Sequence, residues 1–162
     1  MKKVTVLGAG SWASAISNII ADRSEVTMYA RRQDQADEIN EKHTNSRYLG
    51  DAPLLPSIRA TSSLEDAIQG ADLIITSVPT QQTRKVLEEA KSYIPKDVPL
   101  MNISKGIERG SGKRISQIVE ELLPGQEFAV LSGPSHAEEV IIDQPTTVVI
   151  ASSNTALAED LQ

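Results

Sequence analysis

A chain of 162 residues, 40% hydrophobic and 23% charged, has the make-up of one soluble globular domain, and its 3% of aromatics leave Val, Ile, Leu and Ala to build the core. A net charge of −6 and an isoelectric point near 4.9 argue against a nucleic-acid partner held through its phosphates. The absence of cysteine excludes disulfides, thiolate metal sites and cysteine nucleophiles, and His43 and His136 lack metal-ligand spacing, so no metal site is expected.

The N-terminus, Met1-Lys2-Lys3, enters an apolar run too short for a signal-peptide core, and no later stretch reaches transmembrane length. A cytoplasmic protein without a membrane span is therefore expected. Val4 to Leu7 predicts a strand, and Ser11 to Asp22 a helix with Ala15, Ile16, Ile19 and Ile20 on its apolar side. Val26 to Ala30 predicts a second strand and Gln33 to Lys42 a polar helix. From His43 to Ser57 no period is visible, and Gly50, Pro53 and Pro56 read as a long loop. Ile58 to Thr61 predicts a third strand, and Ser63 to Gln69 a helix capped by Ser63. The nearly all-apolar Asp72 to Val78 predicts a strand covered on both faces. Thr83 to Tyr93 and Lys113 to Leu123 predict helices, and Leu100 to Ser104 and Phe128 to Leu131 strands. Thr146 to Ala151 predicts the last strand, and Asn154 caps a helix still running at Gln162, as in a piece of a longer protein.

This alternation predicts an α/β fold of the Rossmann type: a doubly wound, mostly parallel sheet with helices on both faces and ligands outside the carboxyl ends of the strands. The segment Gly8-x-Gly10-x-x-Ala13 follows the first strand and opens the first helix. There the first glycine allows a tight turn and the second lets backbone approach a pyrophosphate. The small Ala13 lets helix and strand pack closely. Helix N-terminal amides and the helix dipole favour the phosphates, so a dinucleotide is the expected ligand. The second strand ends in Arg31-Arg32 where an NAD-selective site usually carries an acidic residue. Two arginines suit a 2′-phosphate, so NADP(H) is expected to bind at least as well as NAD(H), unless they merely open a solvated helix.

Trp12, the sole tryptophan, either covers the cofactor, faces the substrate side of the cleft or packs under a neighbouring loop. Three strand ends converge on one rim: Val78-Pro79-Thr80, Ser104-Lys105-Gly106 and Ser132-Gly133-Pro134-Ser135-His136-Ala137. Lys105 at a strand end suits an oxyanion or a polarised substrate oxygen, the alternative being a surface lysine in a turn. Gly133 and Ser135 can offer an amide and a hydroxyl to the same ligand. His136 caps the following short helix as readily as it acts as an acid, and is not taken as catalytic. Gly110-Ser111-Gly112-Lys113-Arg114 is no triphosphate loop, because Ile107 replaces the first glycine and Arg114 the magnesium-binding hydroxyl.

Four ordered stretches carry a more specific signal. They are Gly8-Ala9-Gly10-Ser11-Trp12, Asn45-Ser46-Arg47-Tyr48-Leu49, Ser104-Lys105-Gly106-Ile107-Glu108, and Leu131 through Glu139. Together they resemble the bacterial NAD(P)-dependent glycerol-3-phosphate dehydrogenases, over essentially the whole chain. The resemblance implies that residues 1–162 form the cofactor-binding domain of an enzyme interconverting dihydroxyacetone phosphate and sn-glycerol 3-phosphate for phospholipid synthesis. It implies that Ser11, Trp12, Arg31, Arg32, Lys105 and Ala137 join Gly8 and Gly10 of the glycine turn in contacting the cofactor, that Lys105, Gly133 and Ser135 contact the substrate, and that Tyr48 lies near the cleft. The family's third glycine is Ala13 here. Its all-helical C-terminal domain, which carries the general-acid lysine, lies outside these residues, so no catalytic residue is expected within them and this chain alone should bind cofactor without turnover. Alternatives are a related NAD(P)-dependent hydroxy-acid or sugar-acid dehydrogenase and a non-enzymatic NAD(P)H-sensing module. The oligomeric state is not legible, which leaves a homodimer of the full-length protein open.

Overall fold

Lys3–Leu7 forms the strand β1, and Ser11–Ile20 the helix α1. Glu25–Tyr29 is β2, Gln33–Lys42 is α2, and Ser46–Leu49 is a short α3. Arg59–Thr61 is β3, Leu64–Ile68 is α4, Leu73–Thr76 is β4 and Thr80–Ala90 is α5. Leu100–Asn102 is β5, Ile115–Leu122 is α6, Phe128–Ser132 is β6 and Ala137–Val140 is α7. Val149–Ser152 is β7 and Thr155–Asp160 is α8. The structure, a computed structural model, describes residues 1–142 and 144–162.

The strands form one seven-stranded sheet in the order β3-β2-β1-β4-β5-β6-β7. All pairings are parallel except β6 with β7, where Leu131 faces Ile150. From β1 the chain winds outward to β2 and β3, then returns to place β4 on the other side of β1. The crevice between the carboxyl ends of β1 and β4 is thus the switch point at which such sheets bind ligands.

Alternation along the buried strands divides the core into two layers. Val4, Val6, Leu73 and Ile75 pack with Ala13 and Ile16 of α1, Ile39 of α2 and Leu157 of α8. Leu7 and Ile74 pack on the opposite face with Leu87 of α5 and Ile118 of α6. Thr5, also buried, bonds its hydroxyl to the Ala67 carbonyl. Every residue of β4 is buried, as a strand covered on both faces requires. Ser63 caps α4, accepting from the Asp66 N–H at 3.2 Å, and Asn154 caps α8 through the N–H groups of Ala156 and Leu157.

Several expectations need correction. Ile19 is 50% exposed, because the face α1 turns inward carries Ala13, Ser14 and Ser17, and small side chains permit the close approach. The stretch read as one loop contains α3 and a bridge between Thr44 and Pro53, too short for either period to show. Helix α5 begins directly after Pro79, whose fixed φ suits a helix entry, and ends at Ala90 rather than Tyr93. The last strand is Val149–Ser152 rather than Thr146 to Ala151. Helix α8 ends at Asp160, its final turn tightened by the bond from Gln162 N–H to the Glu159 carbonyl.

His43, which ends α2, is the one non-glycine with positive φ among the described residues (φ 53, ψ 41), and its Nδ1 is buried without a partner. His43→Gly is expected to stabilise the fold by about 0.5–1 kcal/mol, since glycine adopts this conformation freely and carries no orphan nitrogen. A urea midpoint equal to or below wild type would count against this.

Candidate dinucleotide and substrate cleft

The turn after β1 assigns its two glycines different tasks. Gly8 has φ +128, and a Cβ there would stand 2.5 Å from the Ser77 carbonyl oxygen, so the passage beside the end of β4 requires glycine. Gly10, the N-cap of α1, has ordinary extended angles (φ −84, ψ −176), and a Cβ there would meet nothing within 4 Å. No part of the fold asks for glycine at position 10. The open space belongs to a cleft of about 460 Å³ bordered by Gly10, Ser11, Trp12 and Ala13. The N–H groups of Ser11, Trp12 and Ala13 open a ten-residue helix and have no intrahelical acceptor. A bare backbone surface, unpaired amides and a helix N-terminus together fit a pyrophosphate. Ala13 is fully buried, as the close helix packing expects.

The facing walls come from the three strand ends: Ser77 to Thr80, Ile103 to Lys105, and Ser135 to Glu138, with Tyr48 of α3 at the mouth. These loops are tied together. Ser104 Oγ donates to the Val78 carbonyl (2.6 Å) and Thr80 Oγ1 to the Lys105 carbonyl (2.8 Å). Buried Asn102 accepts from Thr76 Oγ1 (3.1 Å) and donates to the Ser104 carbonyl (2.7 Å), setting the turn that carries Lys105. Lys105 is exposed in the cleft, and its Nζ donates to the Gly133 carbonyl at 2.9 Å. A Cβ on Gly133 would lie 2.6 Å from the Thr147 oxygen, so the β6 loop passes there only as glycine.

Beyond Lys105 the same loop is pinned by charge. Arg84 on α5 donates to both oxygens of Glu108 (2.8 and 3.0 Å) and reaches Glu121 (3.1 Å), which Lys113 also holds at 2.5 Å. These hydrogen bonds raise the Arg84 pKa and lower that of Glu108. Glu121 falls from its ordinary 4.5 to about 2, through Arg84 first and Lys113 second. A carboxylate with a depressed folded-state pKa contributes its stability fully above the ordinary value and loses it as pH falls toward the folded one. Arg84→Ala is therefore expected to unfold at lower urea than wild type at pH 7. The gap should close as pH drops from 5 to 2, and it should narrow in high salt because the cluster lies at the surface. A gap independent of pH would contradict the assignment.

The family model for the N-terminus of NAD-dependent glycerol-3-phosphate dehydrogenase matches residues 3–158. The chain belongs to that family. Its curated relatives include the glycerol-3-phosphate dehydrogenases of Bacillus velezensis, 48% identical over the whole chain, and of Bacillus subtilis, 45% identical, both named for NAD(P)+. The chain spans about half the length of these relatives, 48% in each case. The crystal structure of the Coxiella burnetii glycerol-3-phosphate dehydrogenase superposes with a TM-score of 0.91 at 31% identity, covering 99% of this chain and 49% of that one. The Rossmann-type fold expected from the sequence is thereby shown.

Within this glycerol-3-phosphate dehydrogenase domain, the cleft gathers Gly10, Ser11, Trp12, Lys105, Ser135 and Ala137, with Gly8 beneath it and Gly133 held by Lys105. Arg31 and Arg32 do not line it. Both are exposed, and Arg32 forms a forked pair with Asp34, whose Oδ1 lies 2.9 Å from Nε. Among the described residues no acceptor engages the Arg31 guanidinium. Trp12 edges the cleft and packs against the cluster of Ala15, Ala137 and Val140, as do Leu49 and Ile141. His136 occupies the N-cap of α7, but its side chain makes no capping bond. Among the described residues no helix is long and apolar enough to cross a membrane, and no group of side chains could hold a metal ion.

From the sequence, Thr80 and Ser104 stand in rim segments without a role of their own, and neither Asn102 nor Asn45 is singled out. Their signal was weak: single polar residues beside strand ends, which become informative only when the ends meet.

Proposed function

We propose that this chain is the cofactor-binding half of a glycerol-3-phosphate dehydrogenase that interconverts dihydroxyacetone phosphate and sn-glycerol 3-phosphate in the cytoplasm. The observation that carries the reading is Gly10: a glycine that the fold does not need, facing a cleft at the switch point, in a member of this family. The Ser11 and Trp12 amides would hold the pyrophosphate, and Ala137 on the facing wall would contact the cofactor. Bound nicotinamide supplies or accepts the hydride exchanged with the substrate carbon. Lys105 Nζ presents a fixed positive charge between cofactor and substrate, and Gly133 and Ser135 hold the substrate against it. Arg31 is free to meet a 2′-phosphate, whereas Arg32 must first leave Asp34, so Arg31 carries more of any affinity for NADP(H). No residue of this chain is assigned as the proton donor.

Titration of the 162-residue chain with NADH and NADPH, followed by Trp12 fluorescence, tests the reading. Both nucleotides are expected to bind, NADPH at least as tightly, and Arg31→Ala should weaken NADPH more than NADH. Dihydroxyacetone phosphate should be reduced by the full-length protein and not by this chain alone. A folded chain that binds neither nucleotide refutes the proposal, and a clear preference for NADH refutes the role of the arginines.

A further inference from the structure

The pyrophosphate turn is held from behind by side chains that no role above uses. Asn45 is fully buried. Its Nδ2 gives one hydrogen to the Ala9 carbonyl (3.0 Å) and the other to Ser14 Oγ (2.8 Å), and its Oδ1 accepts from Gln35 Nε2 (3.0 Å). Gln35 Nε2 donates to the Ala9 carbonyl as well, at 2.6 Å. Both acceptor sites of that carbonyl are therefore taken, and every polar atom of the Asn45 side chain is satisfied. The Ala9–Gly10 peptide is trans, so its C=O and N–H point in opposite directions. Fixing the Ala9 oxygen against Asn45 and Gln35 turns the Gly10 N–H away from them, and that N–H has no acceptor among the described residues. The backbone carbonyl of Asn45 meanwhile accepts from Tyr48 and Leu49, starting the short helix that brings Tyr48 to the cleft mouth.

We infer that Asn45, assisted by Gln35, is a positioning residue for the dinucleotide. It touches no ligand, but it sets the peptide plane whose N–H joins the helix amides in meeting the pyrophosphate. This rests on the dinucleotide reading above. A side chain serving packing alone would not need two hydrogens placed on two acceptors in a dry site, and an apolar residue of that size would leave the Ala9 carbonyl held by half-buried Gln35 alone.

Asn45→Asp tests this in the full 162-residue chain, with NAD+ as probe because it tolerates acid, and with calorimetry as readout. The carboxylate keeps the shape of the amide, and Ser14 can donate to it, but it has no hydrogen for the Ala9 oxygen. At pH 7.5 the affinity is expected to fall about tenfold. As pH is lowered the buried carboxyl takes up a proton, regains a donor, and the ratio to wild type should recover. Asn45→Ala should lose similar affinity with no such recovery. Near-UV circular dichroism and melting temperature, recorded at each pH, follow the fold separately. A folded Asn45→Asp that binds NAD+ within twofold of wild type, or whose deficit is the same from pH 7.5 to 5, overturns the inference. Should that variant not fold, half-buried Gln35→Glu carries the test. It should show a loss of about threefold with the same pH trend, and no loss there overturns the inference equally. If wild type itself does not bind NAD+, the dinucleotide reading fails instead.

Discussion

Gly10→Ala leaves the domain folded and removes most of its affinity for a dinucleotide. The backbone angles at position 10 are open to any residue, and the added methyl would meet no protein atom within 4 Å. The cost to folding is at most about 1 kcal/mol, the difference between glycine and alanine at a helix N-cap. The same methyl occupies the space beside the unpaired amides of α1, where a ligand phosphate must approach. Displacing a tightly packed group by one carbon costs about 1–3 kcal/mol, which is roughly five- to 150-fold in Kd. Calorimetric titration with NAD+, paired with thermal unfolding, reads both effects. An unchanged Kd would mean that the open side of Gly10 is not where the ligand lies.

Two residues earlier the outcome reverses. Gly8→Ala is expected to be a folding defect, with little soluble protein to assay. Its Cβ would stand 2.5 Å from the Ser77 oxygen and 2.9 Å from the Ser77 carbon, both backbone atoms that cannot swing aside. They sit where β1 and β4 are joined by the bond from Ser77 N–H to the Leu7 carbonyl (2.9 Å), so relief means parting the two central strands. Positive φ adds a conformational penalty. A loss of about 3–5 kcal/mol follows, a large share of the ~5–15 kcal/mol that holds a domain together. Urea unfolding within 1 kcal/mol of wild type would show that the turn relaxes more easily than its geometry allows. The pair separates two demands that a glycine fingerprint merges: one glycine serves the protein, the other its ligand.

Much of the fold was legible because parallel strands buried on both faces leave apolar runs such as Leu73-Ile74-Ile75, and because Ser63 and Asn154 cap helices by local chemistry. What escaped was non-local or short. Helical periodicity groups Ile19 with Ile16 and Ile20, but the intimate contact of α1 uses alanine and serine, which hydrophobicity does not flag. Four residues of α3 are barely one turn, and the reversed direction of β7 has no signature in Val149-Ile150 itself. At the site, the glycine turn and the rim lysine could be read because strand ends must converge at a switch point. The Arg32–Asp34 pair and the link from Arg84 to Glu108 and Glu121 depend on rotamers and on contacts between distant segments. Asn45 is one polar letter in an unperiodic stretch. Only its burial beneath the turn sets it apart from a surface asparagine.

The bond from Lys105 to the Gly133 carbonyl has a thermodynamic corollary. The ammonium group carries three hydrogens and the carbonyl takes one, so capture of an anion at the rim is an addition to a charge already positioned. An incoming oxyanion meets the two remaining hydrogens without releasing the carbonyl, and gains a charged hydrogen bond to a side chain already held in place. Such an arrangement favours anions over neutral molecules of similar shape, which gain no charge pairing from the ammonium. It also leaves the link between the β5 and β6 loops intact through capture, so occupancy requires no loosening of that rim.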